Sequence, residues 1–239
     1  MAELLTAVAT FASIFMGISI GASAVASAFG PVNSARSANV LRSALLAGFF
    51  AFLGAVTQGQ SVTRTVGSGI VTGSITQLQA ASILIVAASL VLLSVTKDYP
   101  MPTAFTVIGA VVGSGLGFGD SVQWMTVARI VGYWLAVPVL AVSLGYGLAR
   151  GIRGMVSREG SERKIRYALL FAGCYVSYTA GASAVGLAVG PMTEFMSSVN
   201  ALLVLGGLSM MLGAWLYSPR IIRAISFDYS NIGPRRSFA

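Results

Sequence analysis

The stretch Gly21-Ala-Ser-Ala-Val-Ala-Ser-Ala-Phe-Gly-Pro31 decides how the chain is read, because it returns 160 residues later as Gly181-Ala-Ser-Ala-Val-Gly-Leu-Ala-Val-Gly-Pro191. The first five positions are identical, and an Ala, a Gly and the Pro are kept after them. Downstream, Leu53-Gly-Ala55 returns as Leu212-Gly-Ala214, and Val62-Thr-Arg-Thr-Val66 as Ile221-Ile-Arg-Ala-Ile225, both at an offset of 159. One run of small residues is what any close helix contact in a membrane uses. Two runs, each followed by the same pattern in the same order, point to an internal duplication.

The sequence around the motifs belongs in a bilayer. Of 239 residues, 56% are hydrophobic and only 9% are charged, against about 25% charged in a soluble domain. Uncharged runs cover 4–35, 43–63, 65–96, 99–119, 130–149, 167–193 and 195–219. Each can supply the roughly 20 apolar residues that a helix needs to cross the hydrocarbon core, which predicts an all-α integral membrane protein of about seven spans. The first ten residues carry Glu3 and no basic residue, so no cleavable signal is evident.

Composition also removes chemistry. With no histidine and the single cysteine Cys174, disulfide frameworks, zinc sites, haem ligation and histidine-based nucleophilic catalysis are excluded within the chain. The expectation is no enzyme, no cofactor and no metal. The net charge of +8 is spread over short loops rather than one basic face, so it reads as an orientation signal and not as a nucleic-acid surface.

With the N-terminus outside, seven crossings put 13 of the 15 basic residues inside, most of them in 150–166 and in the tail from 218. That predicts a cytoplasmic 150–166 loop and C-terminus, in a prokaryotic cell membrane. The first motif is preceded by Glu3 and followed by Arg36 and Arg42, whereas the second is preceded by the basic loop and followed by Glu194. The copies therefore cross in opposite directions, an inverted-repeat transporter architecture with its site near the midplane at broken or re-entrant helices. The organisation reads as a first repeat over 1–150, a basic loop over 151–166 and a partial second repeat over 167–239.

Gly21 and Gly30-Pro31, with Gly181 and Gly190-Pro191, are poor in a continuous helix and suit a break. A half-helix N-terminus with free N–H groups attracts anions, and Ser23, Ser27 and Ser183 add hydroxyls. Pro100-Met-Pro-Thr-Ala-Phe-Thr106 is a third break, followed by a Gly-rich hairpin or tilted helix from Gly109 to Gly119. The candidate substrate-binding residues are Gly21, Ser23, Ser27, Thr103, Gly181 and Ser183.

The doubled motif, together with Ala44-Leu-Leu-Ala-Gly-Phe-Phe-Ala-Phe-Leu-Gly-Ala55, Val62 to Ile70 and Pro100 to Ala110, resembles the inorganic phosphate transporter (PiT) family over essentially the whole chain. The family's signature reads G-A-N-D-V-A-N-A-F-G-P. The resemblance implies cation-coupled import of phosphate, or of sulfate in some members. This chain departs from the pattern at its polar positions: Asn becomes Ser23 and Ser183, Asp becomes Ala24 and Ala184, and the second Asn becomes Ser27 and Leu187. The Glu of the second span becomes Ala51, and S-T-T-H becomes Pro102-Thr103-Ala104-Phe105. The family's carboxylates are its natural sodium ligands, since hard cations take oxygen donors, so their absence argues against sodium coupling here.

The expected function is secondary transport of an inorganic tetrahedral oxyanion, phosphate before sulfate, by a PiT-like permease. The alternative is a transport-inactive membrane subunit that assembles with another membrane protein. Because position 80 corresponds to Ala239 at the same offset, a homo-oligomer or a second chain supplying a missing half-repeat is expected beside the lipid bilayer.

Overall fold

A computed structural model describes residues 2–25, 27–35, 37–97, 102–155, 162–196 and 198–223. The first helix, α1 (Ala2–Ile20), loosens into a π-helical turn at Gly21–Val25 before a short α2 (Gly30–Ser34). Serine hydroxyls accompany the change. The Oγ of Ser19 donates to the Phe15 carbonyl and the Oγ of Ser23 to the Ser19 carbonyl, both at 2.9 Å, and such back-bonding bends helices. Buried Asn33 then ties α2 to the next helix, its Nδ2 donating to the Phe29 carbonyl and to the Ser43 Oγ, both at 2.9 Å.

Asn39 caps α3 (Val40–Gln58), its Oδ1 accepting from the Leu41 N–H. Gly59 separates α3 from α4 (Gln60–Ser68). The two-residue strand β1 (Val71–Thr72) follows. The expected crossing at 65–96 is thus supplied by α5 alone (Gln77–Thr96), and it starts on a capping box: Thr76 and Gln79 exchange side-chain to main-chain hydrogen bonds.

The Gly-rich segment is a helix rather than a hairpin: α6 (Thr103–Phe118) ends at Gly119, which takes the left-handed conformation at φ 80°. The strand β2 (Ser121–Val122) then pairs antiparallel with β1. The remaining helices are α7 (Trp124–Met155), α8 (Glu162–Val189), which passes into a 3₁₀ turn at Gly190–Met192, and α9 (Val199–Arg223). Residues 98–101, where part of the third expected break falls, lie outside the described residues, as does the tail from 224.

The protein is an all-α integral membrane protein in which, among the described residues, six helices are long and apolar enough to cross a membrane. The seventh expected span, at 99–119, is the 16-residue α6, shorter than the roughly 20 residues a full crossing requires. The second motif also differs from expectation. Gly181 sits inside regular α8, and the backbone leaves the α-helix only at Gly190.

Backbone contacts show the inversion of the repeats directly. Helices α1 and α9 run side by side in the same sense, with Gly17 against Ser209 and Gly21 against Met210 and Ala214. Helices α3 and α9 run oppositely: Gly48 meets Trp215, Gly207 meets Phe52, and Gly59 meets Leu203. The α3–α4 segment follows α8 in the same sense, with Gly54 against Tyr178, Gly186 against Thr63 and Gly190 against Val66. Since α1 is opposed to α3 and α8 parallel to it, the two motif helices are antiparallel.

The core forms where these helices cross. Ala44, Ala47, Ala51 and Ala55 put small buried side chains on one face of α3, so neighbouring backbones come close, as membrane packing favours. Helix α7 stands apart: none of its Trp124–Gly151 span is buried, and it touches the rest through Val127, Ile130 and Trp134, the last tilted against Phe105 with ring centroids 4.0 Å apart.

Candidate functional site

A cavity of about 380 Å³ opens where the two motifs approach each other. The first motif contributes Ala24, α4 contributes Ser61, Val62, Thr65 and Val66, α6 contributes Thr103, Ala104 and Ile108, and α7 contributes Ile130. The second motif faces them with Ala180, Ser183, Ala184 and Leu187 of α8. The lining holds four hydroxyls and no ionisable side chain.

The fold places these groups for identifiable reasons. Helix α4, which begins directly after Gly59, carries Ser61 and Thr65 one helical turn apart on a shared face. The Thr65 Oγ1 donates to the Ser61 carbonyl at 3.0 Å, while Thr63 is buried with its Oγ1 on the Gly59 carbonyl. Across the cavity, the Oγ of Ser183 donates to the Ala180 carbonyl at a long 3.2 Å. Thr103 is the first residue of α6, after Pro102 in an extended conformation, and it is only 9% exposed. Thr103 and Ala104, in the first turn of α6, both line the cavity, so the positive end of this helix lies beside it.

Of the six residues chosen from sequence, Thr103 and Ser183 line this cavity. Gly21 and Gly181 lie instead at helix crossings, where a Cβ would collide with the main chain of Met210 and of Ala51 respectively. Ser23 bonds back into its own turn, and Ser27 is exposed with its Oγ donating to the Ala24 carbonyl at 2.8 Å. Neither lines the cavity. Arg64 is exposed on α4 and also stays off the lining.

Ser61 and Thr65 were not among the sequence candidates. Their one signal is a four-residue spacing that starts just before the repeated block Val62 to Val66, and such spacing shows no preference for a binding face over a packed one. Ala24 and Ala184, which stand where the family resemblance expects Asp, both face the cavity. Ala51, the counterpart of the expected Glu, is buried beneath Gly181.

The donor set bears on sodium. A hard cation takes carboxylate and carbonyl oxygens, and a strong site generally includes at least one carboxylate. Here the positions that would supply it carry methyl groups, so the residues present do not fit the sodium site implied by the resemblance. The lining suits an anion better: hydroxyl donors, a helix N-terminus, and no acid to repel it.

A family model described as the phosphate transporter family matches the chain twice, over residues 20–164 and 156–239. Among curated proteins, the chain is 30% identical over 217 residues to the sulfate permease CysP of Bacillus subtilis, covering 88% of this chain and 61% of that protein. It is 28% identical over 151 residues to the chloroplastic inorganic phosphate transporter 2-1 of Arabidopsis thaliana, covering 59% of this chain and 26% of that protein. The chain thus spans less than two thirds of the length of either relative. A solved structure titled the sodium-dependent phosphate transporter shares the fold, with a TM-score of 0.85 over 98% of this chain and 81% of that one, at 22% identity.

Proposed function

Because the chain belongs to the phosphate transporter family, we propose that it carries a tetrahedral inorganic oxyanion, phosphate before sulfate, through the cavity between the two motifs. The observation that carries this reading is the placement of Thr103, at the N-terminus of α6, opposite Ser183 of the second motif in one uncharged cavity. The helix end supplies N–H donors and a favourable dipole. The hydroxyls of Ser61, Thr65, Thr103 and Ser183 complete the shell. Ser183 and Thr65 now donate to their own helices, so on binding they turn their protons to the anion, a rotation of one side-chain bond.

Gly21 and Gly181 act on this site from a distance, by fixing how closely α1 meets α9 and α8 meets α3. Ser23 and Ser27 belong to the loosened segment flanking Ala24 and reach the anion when the repeats rock against each other, as alternating access requires. The organisation that goes with this motion is a first repeat over 1–150, the loop 151–166 and second-repeat residues from 167. The N-terminus lies outside and the loop lies in the cytoplasm of a prokaryotic cell.

Coupling to sodium is not part of this reading, because the cavity lacks carboxylates. A further polypeptide, either a second copy or a separate chain, covers α7, whose apolar face is exposed from Val131 to Leu148 beside a cavity that α7 touches through Ile130 alone. Uptake of radiolabelled phosphate and sulfate into proteoliposomes, with and without a sodium gradient, tests the proposal. Saturable uptake independent of sodium is expected. Absence of flux for both anions, from protein purified with whatever chains accompany it, would favour a transport-inactive membrane subunit instead.

A further inference from the structure

A second recess, of about 510 Å³, lies between α3 and α8 and shares no lining residue with the transport cavity. Phe50 forms its α3 side, and Tyr167, Leu170, Phe171, Cys174 and Tyr178 form much of its α8 side. Its walls are almost wholly hydrocarbon, and Tyr167 and Phe171 remain 64% and 74% exposed. At one end the hydroxyl of Tyr178 shares a 2.7 Å hydrogen bond with the Oγ1 of Thr57. The tyrosine's polar tip is thereby satisfied within the protein.

The other end is basic. Positions 178, 174, 170 and 167 of α8 recur at three- and four-residue spacing and share a face, and the next position on that face is Arg163. Lys164 and Arg166 stand in the same turn, and all three are exposed. On α3, exposed Arg42 lies eight residues before Phe50, about two turns toward the same end. Glu162 begins α8, and the collar keeps an excess of positive charge. The recess is therefore an amphipathic slot, apolar along its length and cationic at one mouth. From Tyr167 to Tyr178 it runs about 16 Å along α8, close to the depth of one bilayer leaflet.

We propose that this slot binds an anionic phospholipid, with one acyl chain between Phe50 and the α8 aromatics and the headgroup phosphate held by Arg42, Arg163 and Arg166. Hydrocarbon fills an apolar recess that faces a bilayer, and the cationic mouth selects among headgroups, each cation adding about a five-fold preference for the anionic lipid. A second copy docked symmetrically through this face would bring two such arginine collars together, and like charges disfavour that pairing.

Cys174 lines the slot and is the one cysteine of the chain, so its alkylation reports occupancy. The full-length protein in mild detergent is treated with N-ethylmaleimide after addition of phosphatidylglycerol or of phosphatidylcholine. Phosphatidylglycerol is expected to slow alkylation at least five-fold more than phosphatidylcholine, and the R42Q/R163Q/R166Q protein is expected to lose the difference. Native mass spectrometry gives an independent readout, in which Cys174→Trp, by filling the slot, loses the retained phosphatidylglycerol while keeping its helical content. Equal protection by both lipids would overturn the proposal by marking the slot as ordinary boundary surface. So would a phosphatidylglycerol preference that survives the triple substitution, or protection that follows protein concentration instead of lipid and so marks a second copy as the occupant.

Discussion

Gly181 of α8 lies directly against the main-chain carbonyl of Ala51 in α3, and its repeat counterpart Gly21 lies in the same way against the carbonyl of Met210 in α9. Ala51 and Met210 are themselves counterparts at the 159-residue offset. A second pair obeys the same rule, Gly54 against the Tyr178 carbonyl and Gly213 against that of Ile18. These crossings leave no room for a side chain. Gly181→Ala and Gly21→Ala are each expected to cost about 1–3 kcal/mol through overpacking, read as a lower unfolding midpoint in detergent. Gly113→Ala, where a methyl group meets open space, is expected to show no loss.

The hydroxyl shell predicts graded losses of transport. Ser183→Ala and Thr103→Ala each remove one donor to a charged ligand, an interaction of about 1.5–3 kcal/mol, so uptake at subsaturating anion is expected to fall at least ten-fold for each. Thr65→Val, which keeps the shape, is expected to fall in the same range. Unchanged initial rates in proteoliposomes for all three would remove the cavity from the transport path.

Placing a carboxylate in the lining has the opposite charge logic. Ala184→Asp introduces an acid beside Ser183 in a cavity with no other charge, and repulsion of the anion is expected to lower sodium-free uptake by about ten-fold or more. Sodium is expected to restore part of the rate, because the new carboxylate adds the hard oxygen ligand that the site lacks. Titrating sodium against uptake in the variant and the parent checks both parts.

The contact between the turn preceding β2 and the start of α5 carries a stability prediction. Gln79 is 2% exposed and donates through Nε2 to the Asp120 carboxylate, while its Oε1 accepts from the Thr76 N–H. Gln79→Leu leaves a carboxylate without this donor and α5 without its capping box, and a loss of about 1–3 kcal/mol is expected. Asp120→Asn retains an acceptor for Gln79 and is expected to cost less. Thermal unfolding of the two variants compares them.

The membrane class, the doubled motif and the opposed direction of its copies could be read from the sequence, because each follows from residues counted in order: apolar run lengths, identical spacing, and the sign of the flanking charge. The helical continuity of α8 through Gly181 could not. Glycine is compatible both with a broken helix and with a backbone laid against another backbone, and only the neighbour, here Ala51, shows which of the two applies. Ser23 and Ser183 occupy matching positions and each bonds back into its own helix, yet only Ser183 lines the cavity. The π-helical turn at Gly21–Val25 has no counterpart in α8.

By itself the sequence determined that this chain folds in a bilayer as an inverted repeat of helices with its acids removed from the motifs. Tertiary structure alone decided which small and hydroxylated residues meet. Ser61 and Thr65 reach the cavity because α4 packs along α8 there, and Thr103 reaches it because α6 begins there. Gly21 and Gly181 are excluded from it because two crossing backbones already occupy the space beside them. Helical spacing specifies the face on which a residue lies, but the element that covers that face is set by contacts between segments more than a hundred residues apart.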